Sequence, residues 1–387
     1  MRRLLSVVIS ILAAQNLATG AASAHEANAC RSQLQGVINT PADDAVHCVV
    51  DPTSCSHGVC QCDPTALSPY DIEWWYWTGH LRSDDGRKFG FAEIIYSAID
   101  LTSYLPLQWS DSTITDVAAG KYYYGGRETV EGLPPVIPNG FSFEFPKAKA
   151  AGGNGINTIH STIVDQTSGK TYDVDLLLVS TKSPVQQRAD GLVFYYSRER
   201  MAALGSIVYD DKRHFVSGNV WFDHQFGAQR DAYQNVQTWQ WFALQLSDHR
   251  ELVVYDVEVS AAETRPQYAN GVIEGTYSDP NCGITHLTRN DFTITPLGMW
   301  QSAWVPQGWG DFQCIYPMGW RIQVPSQRID VQVQPYFPEQ EIIVPQIPGV
   351  LRVGDRYWEG DATVTGTDTG EAYVELTGFC PFAAGPY

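Results

Sequence analysis

Asp71-Ile72-Glu73-Trp74-Trp75-Tyr76-Trp77-Thr78-Gly79-His80-Leu81 sets more aromatic surface against fewer charges than any other stretch of the chain. With a period of two, Asp71, Glu73, Trp75 and Trp77 point one way, and Ile72, Trp74, Tyr76, Thr78 and His80 point the other. A half-buried strand separates an oily face from a wet one, yet neither face here is purely apolar. A carboxylate on the same face as two indoles predicts one of two things. Either aromatic walls hold an acid in a cavity, or the strand is simply packed and Glu73 reaches a hydrogen-bond partner.

Outward from this strand, short β-prone runs alternate with turn signals, and none keeps a 3.6-residue apolar period over three turns. The fold class is therefore all-β. The runs include 73–81, 88–96, 141–145, 158–165, 171–180, 215–222, 238–246, 251–260, 291–296, 320–324, 330–335, 356–365 and 371–377. Ser83-Asp84-Asp85-Gly86, Thr167-Ser168-Gly169 and Asp368-Thr369-Gly370 sit between them as hairpin turns. Consecutive short strands with close turns suit barrels or sandwiches. A chain of 387 residues exceeds one ordinary core and suits two. An interruption near residues 228–236 divides it into barrels over 71–230 and 231–387, and a weak echo between the halves hints at duplication.

Arg2, Arg3, the apolar run Leu4 to Ala14 and Ala22-Ser23-Ala24 have the pattern of a secretory signal over 1–24, followed by a cysteine-rich extension over 25–70. No later segment has the roughly 18 uninterrupted apolar residues of a spanning helix, so the expected product is secreted and soluble. The net charge of −18 becomes two units more negative without Arg2 and Arg3, which disfavours nucleic acid and anionic membranes as partners. Eight cysteines in an exported chain read as disulfides. Cys60 and Cys62 are too close for easy mutual bonding, so each pairs elsewhere. A zinc knuckle on Cys55, His57, Cys60 and Cys62 is the alternative.

Two further segments stand beside the aromatic strand: Gly218-Asn219-Val220-Trp221-Phe222-Asp223-His224-Gln225-Phe226-Gly227 and Thr238-Trp239-Gln240-Trp241-Phe242-Ala243-Leu244-Gln245-Leu246. The strings E-W-W-Y…G-H-L, D-H-Q-x-G and W-x-W-F-x-L-Q-L, with a late Y-W-E-G, resemble the family of carotenoid 1,2-hydratase, the AttH-type lipocalin-like proteins and fungal kievitone hydratase over about residues 70–380. The resemblance implies two tandem lipocalin-like barrels, no cofactor, and, in the hydratases, addition of water to a prenyl double bond. Related fungal proteins are pericyclases, so fold alone does not fix the chemistry. Family members commonly carry Trp where this chain has Phe226, which keeps a π face and loses an N–H donor.

Hydrating a trisubstituted alkene needs an acid for the less substituted carbon, a pocket that tolerates a tertiary cation, and a base for the attacking water. Desolvated carboxyls among indoles and phenols suit those needs. Asp223, Asp256 and Glu73 are the acid candidates, and the family motif favours His224 as base or water-orienting group; a histidine bonded within a turn is its bland counterpart. Strand parity puts Asp223 and His224 on opposite faces unless a bulge intervenes. Trp75, Tyr76, Trp239, Trp241, Tyr255 and Phe226 are candidate substrate-binding walls, against ordinary core filling. His80 ends the aromatic strand and merits notice. The histidines other than His224 are scattered without metal-ligand spacing, and no nucleophile elbow, P-loop or dinucleotide fingerprint is present. The expected function is a secreted, cofactor-independent hydro-lyase giving a tertiary alcohol from a small prenylated or terpenoid substrate. The alternatives are a pericyclase of polyketide-type products and a non-catalytic carrier of apolar ligands.

Overall fold

The computed structural model describes residues 44–48, 50–56, 59–62, 72–99, 106–165, 168–189, 193–227, 235–265, 268, 270–281, 283–303, 313–344 and 356–380. The expected signal segment and the expected boundary at 230/231 lie outside the described residues.

A small N-terminal hairpin pairs β1 (Val50–Ser56) with β2 (Val59–Cys62). The first large sheet holds β3 (Ile72–Ser83), β4 (Lys88–Ile99), β5 (Pro106–Asp116), β6 (Lys121–Glu131), β7 (Phe141–Glu144), β8 (Ala148–Gly153), β9 (Ile156–Val164), β10 (Thr171–Ser180), β11 (Val185–Ala189), β12 (Val193–Tyr209) and β13 (Lys212–Gly227). The second begins with β14 (Val236–Leu246), β15 (Glu251–Val259), β16 (Val272–Ser278), β17 (Ile284–Thr288) and β18 (Thr293–Pro296). After a separate ribbon of β19 (Met299–Gln301) and β20 (Ile315–Pro317), it continues with β21 (Trp320–Val324), β22 (Ile329–Pro335), β23 (Glu341–Ile343), β24 (Arg356–Gly366) and β25 (Gly370–Thr377). The strand order is 6-5-4-3-13-12-10-9-8-7 in the first sheet, with β11 on β12, and 17-16-15-14-25-24-22-21-18 in the second, with β23 on β24. In each sheet the first strand in sequence pairs antiparallel with the last, β3 with β13 and β14 with β25.

Both sheets curl around an apolar interior. In the first, edge strand β6 comes back against β9: a Cβ on Gly125 would stand 3.4 Å from the Cα of Ile163. Trp75, Trp77, Phe91, Ile95, Phe141, Leu178 and Phe222 fill that interior. Phe242, Leu244, Val254, Trp320, Trp358 and Val374 fill the second. Fully burying one such aromatic is worth on the order of 3 kcal/mol.

A third core lies between the sheets, because the outward faces of β3, β4, β12 and β13 pack on those of β14, β15, β24 and β25. It joins Tyr76, Ile94, Tyr195 and Trp221 from the first half to Trp241, Tyr255, Tyr357 and Tyr373 from the second. The mixed character of β3 follows directly, since both of its faces are buried, one in each core.

Cys48 bonds Cys62, Cys55 bonds Cys60, and Cys314 bonds Cys380. Cys60 and Cys62 thus pair elsewhere, as their spacing requires. The alternative zinc knuckle is overturned, because Cys55, Cys60 and Cys62 spend their sulfurs on these bonds. Cys30 and Cys282 lie outside the described residues. No described helix is long and apolar enough to cross a membrane.

Candidate functional site between the sheets

Register decides which side chains meet. β13 lies on β3 with Asp223 opposite Tyr76 and His224 opposite Trp75. No bulge interrupts this stretch, so alternation sends Tyr76 and Asp223 into the layer between the sheets, and Trp75 and His224 into the first interior. In the second half, β25 lies between β14 and β24, with Glu375 opposite both Trp241 and Glu359.

Asp223 is 3 % exposed and accepts three hydrogen bonds, from Tyr195 Oη (2.7 Å), Ser197 Oγ (2.5 Å) and Trp221 Nε1 (2.7 Å). Burial still pushes its carboxyl up to about 7 against those three donors. Tyr195 in turn accepts a bond from Trp241 Nε1 at 3.0 Å, tying the acid to the second half. Glu375 accepts from Trp239 Nε1 at 2.8 Å, and burial pushes it up to about 7. Glu359 accepts from Tyr76 Oη at 2.5 Å, and burial followed by the charge of Glu375 holds it well above the carboxylate range. Two carboxyls directly opposite across a ladder cannot both ionise cheaply in such a place. The pair therefore holds a proton near neutrality.

Around these acids stand Trp74, Tyr96, Tyr122 and Tyr124 from the first sheet. Tyr96 stacks on Trp109 with centroids 4.9 Å apart. Asp111 gathers Arg127, Tyr124 and Tyr357, the last from the second sheet, and is fully paired. Trp109 Nε1 is buried with no partner among the described residues. At the far side of the layer His80 Nδ1 lies 2.7 Å from Asp361 Oδ1. Burial works against the imidazolium, but Asp361 outweighs it and raises His80 above its ordinary value.

The opposite face of β3 and β13 carries a different cluster. Glu73 Oε1 lies 2.7 Å from His224 Nε2 and 2.7 Å from His47 Nδ1, and Glu73 Oε2 accepts the His47 backbone N–H at 3.0 Å. Burial would raise Glu73, but the bonds from His224 and His47 prevail and hold it below the ordinary value. Trp75 stacks on His224 at 4.7 Å, and Phe226 stacks on His47 at 3.6 Å.

The structure thus divides the residues singled out in the sequence. Tyr76, Asp223, Trp239, Trp241 and Tyr255 meet in the layer between the sheets. Glu73, His224, Trp75 and Phe226 meet in the first interior, behind the sheet. Asp256 joins neither group. It alternates with Tyr255, faces the second interior beside Val254 and is only half-buried, so it is removed from the acid set. Glu359 and Glu375 were not singled out, although Glu359 stands in the Y-W-E-G string and both interrupt apolar strands.

Two curled antiparallel sheets packed on a shared aromatic layer, with a disulfide-stapled N-terminal segment, define a protein of two lipocalin-like barrels. The AttH-like family matches residues 62–379, and the chain belongs to that family. The crystal structure of an AttH protein from Nitrosomonas europaea superposes with a TM-score of 0.64 at 19 % identity, covering 81 % of this chain and 94 % of that one. Kievitone hydratase from Nectria haematococca superposes at 0.54 and 16 % identity, covering 78 % and 88 %. At these identities the likeness is one of fold. No curated protein matches the chain.

Proposed function

We propose that the chain is an exported hydro-lyase that adds water across the prenyl double bond of a small apolar compound, giving a tertiary alcohol, in the layer between the two barrels. The observation that carries this reading is the pairing of Glu359 with Glu375, buried among indoles and phenols, where one carboxyl keeps its proton at neutral pH. That proton goes to the less substituted alkene carbon. Tyr and Trp faces then stabilise the tertiary cation, each by roughly 0.5 to 2 kcal/mol. Water bonds to the cation and gives up a proton to Asp223; return of that proton to the Glu359–Glu375 pair resets the site, so the net change is one water added. The unpaired Trp109 Nε1 supplies a donor for a substrate oxygen or for that water. The three disulfides among the described residues suit an oxidising compartment outside the cytosol.

The test is incubation with prenylated phenols and terpenes in 18O-labelled water, followed by mass analysis. The expected result is gain of one labelled water, lowered by roughly 100-fold or more in Glu375→Gln and in Asp223→Asn. An isomeric product of unchanged mass makes the protein a pericyclase instead, and binding without turnover makes it a carrier.

A further inference from the structure

We infer that His47, Glu73 and His224 form a binding site for a divalent transition-metal ion of the zinc class, in the first barrel and separate from the acid layer. The three side chains come from three chain segments and bring one ligand atom each within 4.8 Å of the others. Two imidazole nitrogens converge on a single carboxylate oxygen, each at 2.7 Å. Two histidines and one glutamate form a familiar donor set for zinc, with the fourth position left to water. Metal bonds of about 2.0–2.2 Å in a tetrahedral arrangement set ligand atoms roughly 3.3 Å apart. Side-chain rotation of a few tenths of an ångström at each ligand accommodates that expansion.

The rival account is a carboxylate clamped by hydrogen bonds, and the contacts around His224 fix which of its nitrogens is turned to Glu73. Arg198 donates to both oxygens of Asp44, at 2.9 and 2.8 Å, so Asp44 is an acceptor. Tyr196 donates its hydroxyl proton to Asp44. The Tyr196 oxygen also lies 3.1 Å from His224 Nδ1, so that nitrogen must be the donor in this contact. In a neutral imidazole the other nitrogen, Nε2, then carries a lone pair, and that lone pair faces Glu73 Oε1. That contact is met either by a second proton on the ring, donated to Glu73, or by a metal ion held between the two atoms, and a single ion placed there also takes His47 Nδ1 as a ligand.

The surroundings are those of a metal-binding histidine. Its second nitrogen donates to an oxygen that is itself held, as outer-shell partners of metal ligands do. Trp75 against His224 and Phe226 against His47 fix both ring planes. The Cys48–Cys62 bond anchors the segment that presents His47. Phe226 is the surface on which His47 lies.

The full-length protein, stripped with a chelator and dialysed, is titrated with Zn2+ and separately with Co2+. One equivalent of each is expected to bind, with visible d–d absorption for Co2+. His47→Gln lies at the rim, and its melting curve should stay near that of the parent while metal affinity falls by more than 100-fold. Tyr196→Phe, which touches no metal, should weaken affinity by roughly 10- to 100-fold. Absence of stoichiometric binding by folded parent protein overturns the site, as does unchanged binding in His47→Gln. Because the acid layer lies across the sheet, metal-stripped protein should retain hydration, so either reading can fail alone.

Discussion

At the scale of single residues, the state of Glu359 decides what a substitution there does. It is 1 % exposed, and burial together with Glu375 keeps it protonated. Glu359→Gln replaces a neutral acid by a neutral amide of the same shape that can still accept from Tyr76, so stability at pH 7 should change by less than about 1 kcal/mol. Tyr76→Phe removes the donor and leaves a buried acceptor unmet, which should cost roughly 1–3 kcal/mol. Urea unfolding of the two variants checks the contrast; equal losses would mean that Glu359 is ionised. The sequence displayed part of this site. Parity alone set Asp223 and His224 on opposite faces of their strand, and the structure has them so. Glu359 and Glu375 escaped because a charge within a strand reads as facing water, and only a second barrel packed on the first buries that face.

At the scale of elements, strands with alternating apolar residues were legible and strands with polar interiors were not. β5, β6 and β12 are among the strands missing from the runs read in the sequence. β5 turns Ser110 and Ser112 inward, where both donate to the buried Glu93, so its interior face looks hydrophilic. β12 carries Arg198, Glu199 and Arg200, and its arginines are answered by Asp44 and Glu251, residues far away in sequence. Local pattern cannot show partners that only the fold supplies. Gly360, in the Y-W-E-G string, is set by packing of the opposite kind: a Cβ there would stand 1.9 Å from Cη2 of the fully buried Trp358. Gly360→Ala should therefore cost about 1–3 kcal/mol by overpacking β24, read as a lower urea midpoint. The Cys314–Cys380 bond spans a sequence separation of 66, and replacing both cysteines by Ala should cost about 4 kcal/mol on the loop-entropy account.

At the scale of the whole molecule, the halves are joined by a buried charge cluster as well as by aromatic packing, and the cluster makes stability depend on pH. Arg200 Nε donates to Glu251 Oε1 at 2.5 Å, Lys182 also binds Glu251, and Gln245 Nε2 donates to the Glu199 backbone oxygen at 2.8 Å. Burial, and then the charge of Glu251, pushes Glu199 up to about 8. Burial likewise pushes Glu93 and Glu375 up to about 7. A carboxyl whose pKa is raised by folding binds its proton more tightly in the native state than in the unfolded chain, where it titrates near about 4.3. Its contribution is complete below the unfolded value and is lost as pH rises through the folded one. Between the two values each such group lowers stability by about 1.4 kcal/mol per pH unit. The net charge of −18 acts in the same direction, since alkali adds to self-repulsion. The urea midpoint should therefore fall steadily from pH 5 to pH 8, and Glu199→Gln, which cannot ionise, should flatten the slope between pH 6 and 8. A midpoint that stays level or climbs over this range would show that these carboxyls are already charged in the native protein, and with them the pair assigned as proton donor.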